Sequence, residues 1–295
     1  MATRLVAALV AAVAVLATGA GAAGPVVSKP RVPELRRIVV IVFENKSLWQ
    51  VIGSPSAPTF NRLARRYALL TRYFALARPS LPNYLALVSG HTQGVTESCN
   101  DCVFDARNLA DTIEASGRTW KTYAEGLPEP GFTGASFGTY VKRHNPFLYF
   151  TSVVSSPVRL KRVAPLSEFA NDLAGGRLPD FSLVIPDLCN GMHDCPVARG
   201  DAWLDRLLKP LLGNPQLAGG AVFVTFDEPA ERHTIANGRL ATLVLGPLVQ
   251  PGSRSRTRYA HYALLRTIED AWRLPRLGRS SRAAPVTGVW RDNLG

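Results

Sequence analysis

The chain has 295 residues, 46% hydrophobic and 19% charged, which is enough apolar material for a full core and excludes the composition of a disordered protein. Its formal charge of +12 comes mainly from scattered arginines, Arg4 to Arg291, so a general attraction to anionic substrates or anionic lipid surfaces follows. No recognition helix, zinc finger or aromatic RNA-binding motif accompanies that charge, and specific nucleic-acid binding is not expected.

At the N-terminus, Arg4 precedes an apolar run from Leu5 to Ala17 and the small-residue stretch Ala20-Gly21-Ala22, which fits a cleavage site. Residues 1–23 are therefore expected to be a cleaved signal peptide and the protein secreted or otherwise extracytoplasmic. An uncleaved anchor is the competing reading, but a span needs about 20 apolar residues and this run is shorter. No later segment suits a stable membrane span. Export makes disulfides the default state of Cys99, Cys102, Cys189 and Cys195. Two local bridges are the simplest connectivity; a redox-active or zinc-binding Cys-x-x-Cys is the alternative.

Residues 24–36, rich in Pro, Val and Ser, form an extended lead-in to a single domain over residues 37–295. Arg37 to Phe43 is a continuous β-branched run, the pattern of a strand buried on both faces, and it stops at Glu44-Asn45. Asp180 to Pro186 repeats the pattern and ends at Asp187. Gly220 to Phe226 ends at Asp227-Glu228, and Ala241 to Leu245 ends at Gly246-Pro247. Helical patterns lie between, at residues 57–67, 109–116, 200–212 and 259–272. Such alternation implies an α/β fold with a mainly parallel sheet sandwiched between helices. Ligands of these sheets gather beyond the carboxyl ends of the strands. Three strands would deliver acids to that one edge, where a bound cation relieves their repulsion; the plainer reading is that each acid caps the next helix.

Arg78-Pro79-Ser80-Leu81-Pro82-Asn83-Tyr84 is a tight entry into an apolar helix, with Ser80 at or near its N-cap. Free backbone N–H groups there favour an anion beside the hydroxyl. Among the histidines, His193 sits inside the Cys189 to Cys195 segment, where a local bridge would hold its ring near Asp187. His144 follows Lys142-Arg143 and precedes Asn145, a group of phosphate-compatible donors. His261 begins the last helix. As lone residues these histidines are more ordinary as surface or capping groups, and His91 and His233 carry no signal.

Glu44-Asn45-Lys46-Ser47, Pro79-Ser80-Leu81-Pro82-Asn83-Tyr84, Tyr140 to Phe147, Asn190-Gly191-Met192-His193-Asp194, Thr225-Phe226-Asp227-Glu228 and His261 to Asp270 occur in that order. Together they closely resemble the phosphoesterase family of bacterial secreted acid phosphatases and phospholipase C-like enzymes, within the alkaline phosphatase superfamily. The resemblance covers residues 37–290. It implies an alkaline phosphatase-like fold, Ser80 as nucleophile, and Glu44, Asn45, Asp227 and Glu228 as ligands of a divalent metal ion. Asp187, His193 and His261 follow as second-rank metal or phosphate candidates. Two departures stand out: Arg78 occupies a position that is His in many relatives, and Pro229-Ala230-Glu231-Arg232 replaces an acidic or glycine-rich stretch.

The expected reaction is attack of Ser80 on phosphorus, with Arg78, Arg143, His144 and Asn145 as donors to the non-bridging oxygens and His193 protonating the leaving group. The expected partner is a phosphorylated small molecule or lipid headgroup. A phosphomonoesterase of acid phosphatase type is the first reading and a phospholipase C-like phosphodiesterase the second. A catalytically silent anion-binding protein is the third.

Overall fold

The structure, a computed structural model, describes Met1, residues 32–231 and residues 233–291. The proposed signal peptide lies outside the described residues apart from Met1. No helix among the described residues is long and apolar enough to cross a membrane.

Eleven strands occur among the described residues: β1 (Ile38–Phe43), β2 (Ala68–Phe74), β3 (Trp120–Ala124), β4 (Ser136–Phe137), β5 (Tyr140–Val141), β6 (Val163–Pro165), β7 (Phe181–Ile185), β8 (Ala221–Phe226), β9 (Arg239–Leu245), β10 (Arg254–Ser255) and β11 (Tyr259–Ala260). Nine make one sheet in the order β10-β2-β9-β8-β1-β7-β3-β6, with β11 also paired to β2, while β4 and β5 form a separate hairpin. β1 is central, parallel to both β7 and β8. All six of its residues are buried, as a strand covered by helices on both faces requires.

The sheet is mainly parallel, as the alternation of elements implies. One strand departs from that pattern. β9 runs antiparallel to β8 and to β2, because the described residues of the connection from Asp227 to Gly238 include no helix to carry the chain back across the sheet. Its start, rather than its Gly246-Pro247 end, therefore lies beside the carboxyl end of β8.

Helices occupy the expected places: Pro58–Arg66, Leu109–Ala115, Val197–Leu212 and His261–Trp272, the third starting three residues before its expected Gly200 and the fourth two residues after Tyr259, which belongs to β11. Phe43 packs against Phe60, Trp203 and Phe226 at centroid distances of 5.5, 5.6 and 5.5 Å. That cluster fastens two helices to the ends of β1 and β8. Asp201, buried in one of those helices, accepts from the Thr59 and Phe60 amides at 3.0 and 2.9 Å and so caps the other.

Cys99 is bridged to Cys102 and Cys189 to Cys195, which is the local pairing, and no described cysteine is free. The protein denatured without reductant should therefore take up no thiol label, and peptide mapping should return both local pairs. Stoichiometric labelling would contradict this arrangement.

Candidate active site

In the parallel pairing of β1 with β8, Phe43 is the register partner of Phe226. Asp227 N donates to the Phe43 carbonyl at 3.0 Å, and Asn45 N donates to Asp227 Oδ1 at 3.1 Å. Glu44 and Asp227 thus leave the sheet side by side, with Glu228 next in the chain. All three are buried, with exposures of 1%, 1% and 5%. Asn45 holds a left-handed backbone conformation (φ 50°), a region asparagine tolerates better than most residues.

Ser80 is the first residue of a ten-residue helix, Ser80–Ser89, in which every residue is buried; Pro79 is the N-cap. Asn83 secures the helix entry. Its Oδ1 accepts from the Leu76 and Ala77 amides at 2.9 and 3.2 Å, and its Nδ2 donates to the Ala77 and Pro79 carbonyls at 2.8 and 3.3 Å. At the far end Gly90 turns left-handed against the Leu277 carbonyl, where a Cβ would sit 1.9 Å from the oxygen. So held, the Ser80 hydroxyl donates to Glu44 Oε2 at 3.2 Å. One turn on, the Tyr84 hydroxyl donates to Glu44 Oε1, and the Tyr84 ring stacks on His144 at 5.4 Å.

His144 Nε2 stands 3.2 Å from Glu44 Oε2, outside hydrogen-bonding alignment. Burial, then the nearby Arg143 and His193 charges, push its pKa well below the usual value. Asn145 is fully buried and its Oδ1 has no partner. Arg143 is half-buried and joins no ion pair among the described residues. His193 is partly exposed, its ring 6.1 Å from that of His144.

His193, Asp187 and His261 have these contacts. His193 Nδ1 pairs with Asp194 at 2.5 Å instead of Asp187. The Asp187 carboxylate accepts from Thr139 Oγ1 at 2.7 Å and from the Asn190 amide at 2.6 Å, so it ties the bridged loop to the β4–β5 hairpin. His261 is buried between the Asp227 carbonyl, 2.6 Å from Nε2, and the Tyr73 hydroxyl, 3.3 Å from Nδ1. Its ring holds the Asp227 backbone, and burial draws its pKa down to about 4.

The electrostatics of the carboxylates decide what the pocket can hold. Burial first, and the Asp227 charge second, raise Glu44 well above the ordinary carboxylate range. The same two causes push Glu228 up to about 8, with Arg78 acting in the opposite direction. Burial also raises Asp227, and the hydrogen bond from the Asn45 amide offsets part of that. Among the described residues no three His, Cys, Asp or Glu side chains form a ready-made ligand group. Glu44 is engaged by two hydroxyls, but Asn45 Oδ1, Asp227 Oδ2 and Glu228 Oε2 are buried without hydrogen-bond partners. Such oxygens are costly unless something pairs with them, and an all-oxygen donor set fits a hard divalent cation.

Sequence reasoning passed over Tyr84 and Lys46. The signal for Tyr84 was its i,i+4 spacing from Ser80, which puts both hydroxyls on one helix face. Lys46 Nζ donates to the Met192 carbonyl at 2.6 Å and links the Glu44 segment to the bridged loop.

The family model of the phosphoesterase family matches residues 54–275. The chain belongs to the phosphoesterase family. It is an enzyme that hydrolyses phosphate esters. Among its relatives, a phosphatidylinositol-3-phosphatase of Mycobacterium tuberculosis is 35% identical over 287 residues, covering 96% of this chain and 92% of that one. A probable acid phosphatase of Kluyveromyces lactis is 31% identical, covering 90% of this chain and 64% of that one. In fold, the chain matches an alkaline phosphatase superfamily protein of Vibrio parahaemolyticus with a TM-score of 0.59 at 14% identity, over 87% of this chain and 72% of that one.

The raised carboxylate values have a consequence for cation-free protein. A group whose pKa is higher folded than unfolded stabilises below its unfolded value and loses that contribution as pH rises through the folded one. For Glu228 this window runs from 4.5 to about 8. His261, unfolded at 6.5 and folded at about 4, acts in the opposite sense only below 6.5. The melting temperature of chelator-treated protein should therefore fall as pH is raised from about 6.5 to about 8, and a saturating divalent cation should flatten that slope. An upward slope without cation would contradict the assignment.

Proposed function

We propose that the chain is an exported acid phosphatase-type phosphomonoesterase with Ser80 as nucleophile and a divalent cation held by Glu44, Asn45, Asp227 and Glu228. The observation that carries this reading is the Ser80 hydroxyl, buried at a helix start and donating to Glu44 Oε2 at 3.2 Å, beside the unpartnered oxygens of Asn45, Asp227 and Glu228. A serine in such a place has little other use than covalent chemistry on an anion. The two disulfides support a location outside the cytoplasm. The relatives named as phosphatases, one of them for a phosphoinositide, support a phosphorylated small molecule or lipid headgroup as substrate.

Ser80 Oγ forms a bond to phosphorus as the bond to the leaving-group oxygen breaks, and water then cleaves the phosphoseryl ester. Glu44, Asn45, Asp227 and Glu228 would hold the cation, which would supply a lowered serine pKa and screening of charge on the phosphoryl oxygens. Glu44 accepts the serine hydrogen bond on Oε2 and is itself oriented by Tyr84. His261 fixes the Asp227 backbone. Arg143 and Asn145 serve as donors to the non-bridging oxygens. His193, partly open to solvent, delivers a proton from Nε2 to the leaving group while Asp194 holds its Nδ1.

Ser80→Ala should lower hydrolysis of para-nitrophenyl phosphate by at least about three orders of magnitude, with circular dichroism and melting near those of the parent. The parent should hydrolyse this monoester far faster than bis(para-nitrophenyl) phosphate. Activity retained in Ser80→Ala would remove the nucleophile assignment, and a preference for the bis-ester would make the protein a phosphodiesterase.

A further inference from the structure

Arg78 stands two residues before Ser80, and its place in the sequence groups it with the phosphate donors. Its contacts point elsewhere. Nη2 donates to the backbone carbonyls of Pro229 at 2.7 Å, Ala230 at 2.9 Å and His233 at 3.0 Å. Nη1 stands 3.9 Å from Glu228 Oε2. Three carbonyls crowd one nitrogen that carries only two N–H bonds, so the donors on that side of the guanidinium are fully used.

The segment that Arg78 grips is the connection from β8 to β9, which begins with Asp227 and Glu228 and holds no helix or strand before Arg239. Beyond Asp227, whose carbonyl His261 holds, and the loop's own Thr234–Asn237 contacts, its other described side-chain support is Ser47, whose Oγ accepts from the Ala230 amide at 3.2 Å and lies 2.8 Å from His233 Nδ1. An irregular loop secured at so few points depends strongly on each of them. The guanidinium carries Nη2 to the point where the three carbonyls converge and places a full charge beside Glu228.

We propose that Arg78 is a positioning residue: by gathering the carbonyls of Pro229, Ala230 and His233 it fixes the loop that carries Glu228, and so shapes one wall of the cation site without touching the substrate's phosphoryl group. The part concerning the cation rests on the function proposed above. The loop-holding part stands on the hydrogen bonds alone.

Arg78→Met and Arg78→Lys separate this role from direct substrate binding when compared with the parent in three measurements on the whole protein. These are amide hydrogen exchange at Ala230 and His233 after chelation, affinity for a divalent cation by calorimetry, and inhibition by inorganic phosphate at saturating cation. Arg78→Met should exchange at least about tenfold faster at the two amides and Arg78→Lys by less, because a lysine keeps the charge and three N–H donors but on a different reach and geometry. Their cation affinity should fall by a comparable factor, with phosphate inhibition changed less than about twofold. Melting of Arg78→Lys close to the parent would show that the loop, not the whole fold, has loosened. Unchanged exchange together with weakened phosphate inhibition would overturn the proposal and make Arg78 a substrate ligand. Faster exchange in a protein whose parent binds no cation would sustain the loop-holding role and remove the cation reading instead.

Discussion

Everything at the site depends on one feature of backbone pairing, the parallel register that sets Phe43 opposite Phe226. Neighbouring strands lie about 4.8 Å apart, so residues that follow such a pair emerge as neighbours whatever their charge. Here they are Glu44 and Asp227, buried and both raised in pKa. The aromatic cluster of Phe43, Phe60, Trp203 and Phe226 holds that register from one face, and the His261 ring holds the Asp227 carbonyl. Electrostatic cost is thus built into the core of the domain. The proposed cation, by pairing with the orphaned oxygens of Asn45, Asp227 and Glu228, would relieve it.

Ser80 is brought to this cluster by a helix with no exposed residue, which is an expensive place for a hydroxyl unless it is used. Asn83 consumes its whole amide in bracing residues 76–79, and Tyr84 turns toward Glu44. The short run from Ser80 to Tyr84 therefore carries the proposed nucleophile, a clamp for its own backbone and an orienting group for the nearest carboxylate. Preorganisation of this kind removes the reorganisation that water would otherwise have to undergo.

Much of this was legible in the sequence, and the limits have physical causes. β1 is an uninterrupted apolar run and β7 and β8 are apolar but for one small hydroxyl residue each, all buried, so their positions and the acids that follow them were readable directly. β2 and β3 were not, because β2 carries Thr71-Arg72 at an irregularity in its pairing and β3 carries Lys121, neutralised by Glu168 and Asp172. The reversed direction of β9 follows from a missing helix, which periodicity alone does not reveal. Contacts to backbone carbonyls are likewise invisible in a sequence: neither the Arg78 grip on Pro229, Ala230 and His233 nor the His261 contact to Asp227 could be read from it. Proximity in the chain also misled for His193, whose closest carboxylate is its neighbour Asp194, since Asp187 is already occupied by Thr139 and Asn190.

The central claim is that carboxylates from two separate strands, more than 180 positions apart, act as one cation site beside Ser80. Calorimetric titration of a divalent cation into chelator-treated parent, Glu44→Gln and Asp227→Asn, with phosphatase turnover followed in the same samples, tests it most directly. The account predicts that the parent binds the cation and regains activity, and that each variant loses both together. Full activity in thoroughly demetallated parent, with Asp227→Asn behaving as the parent does, would contradict it.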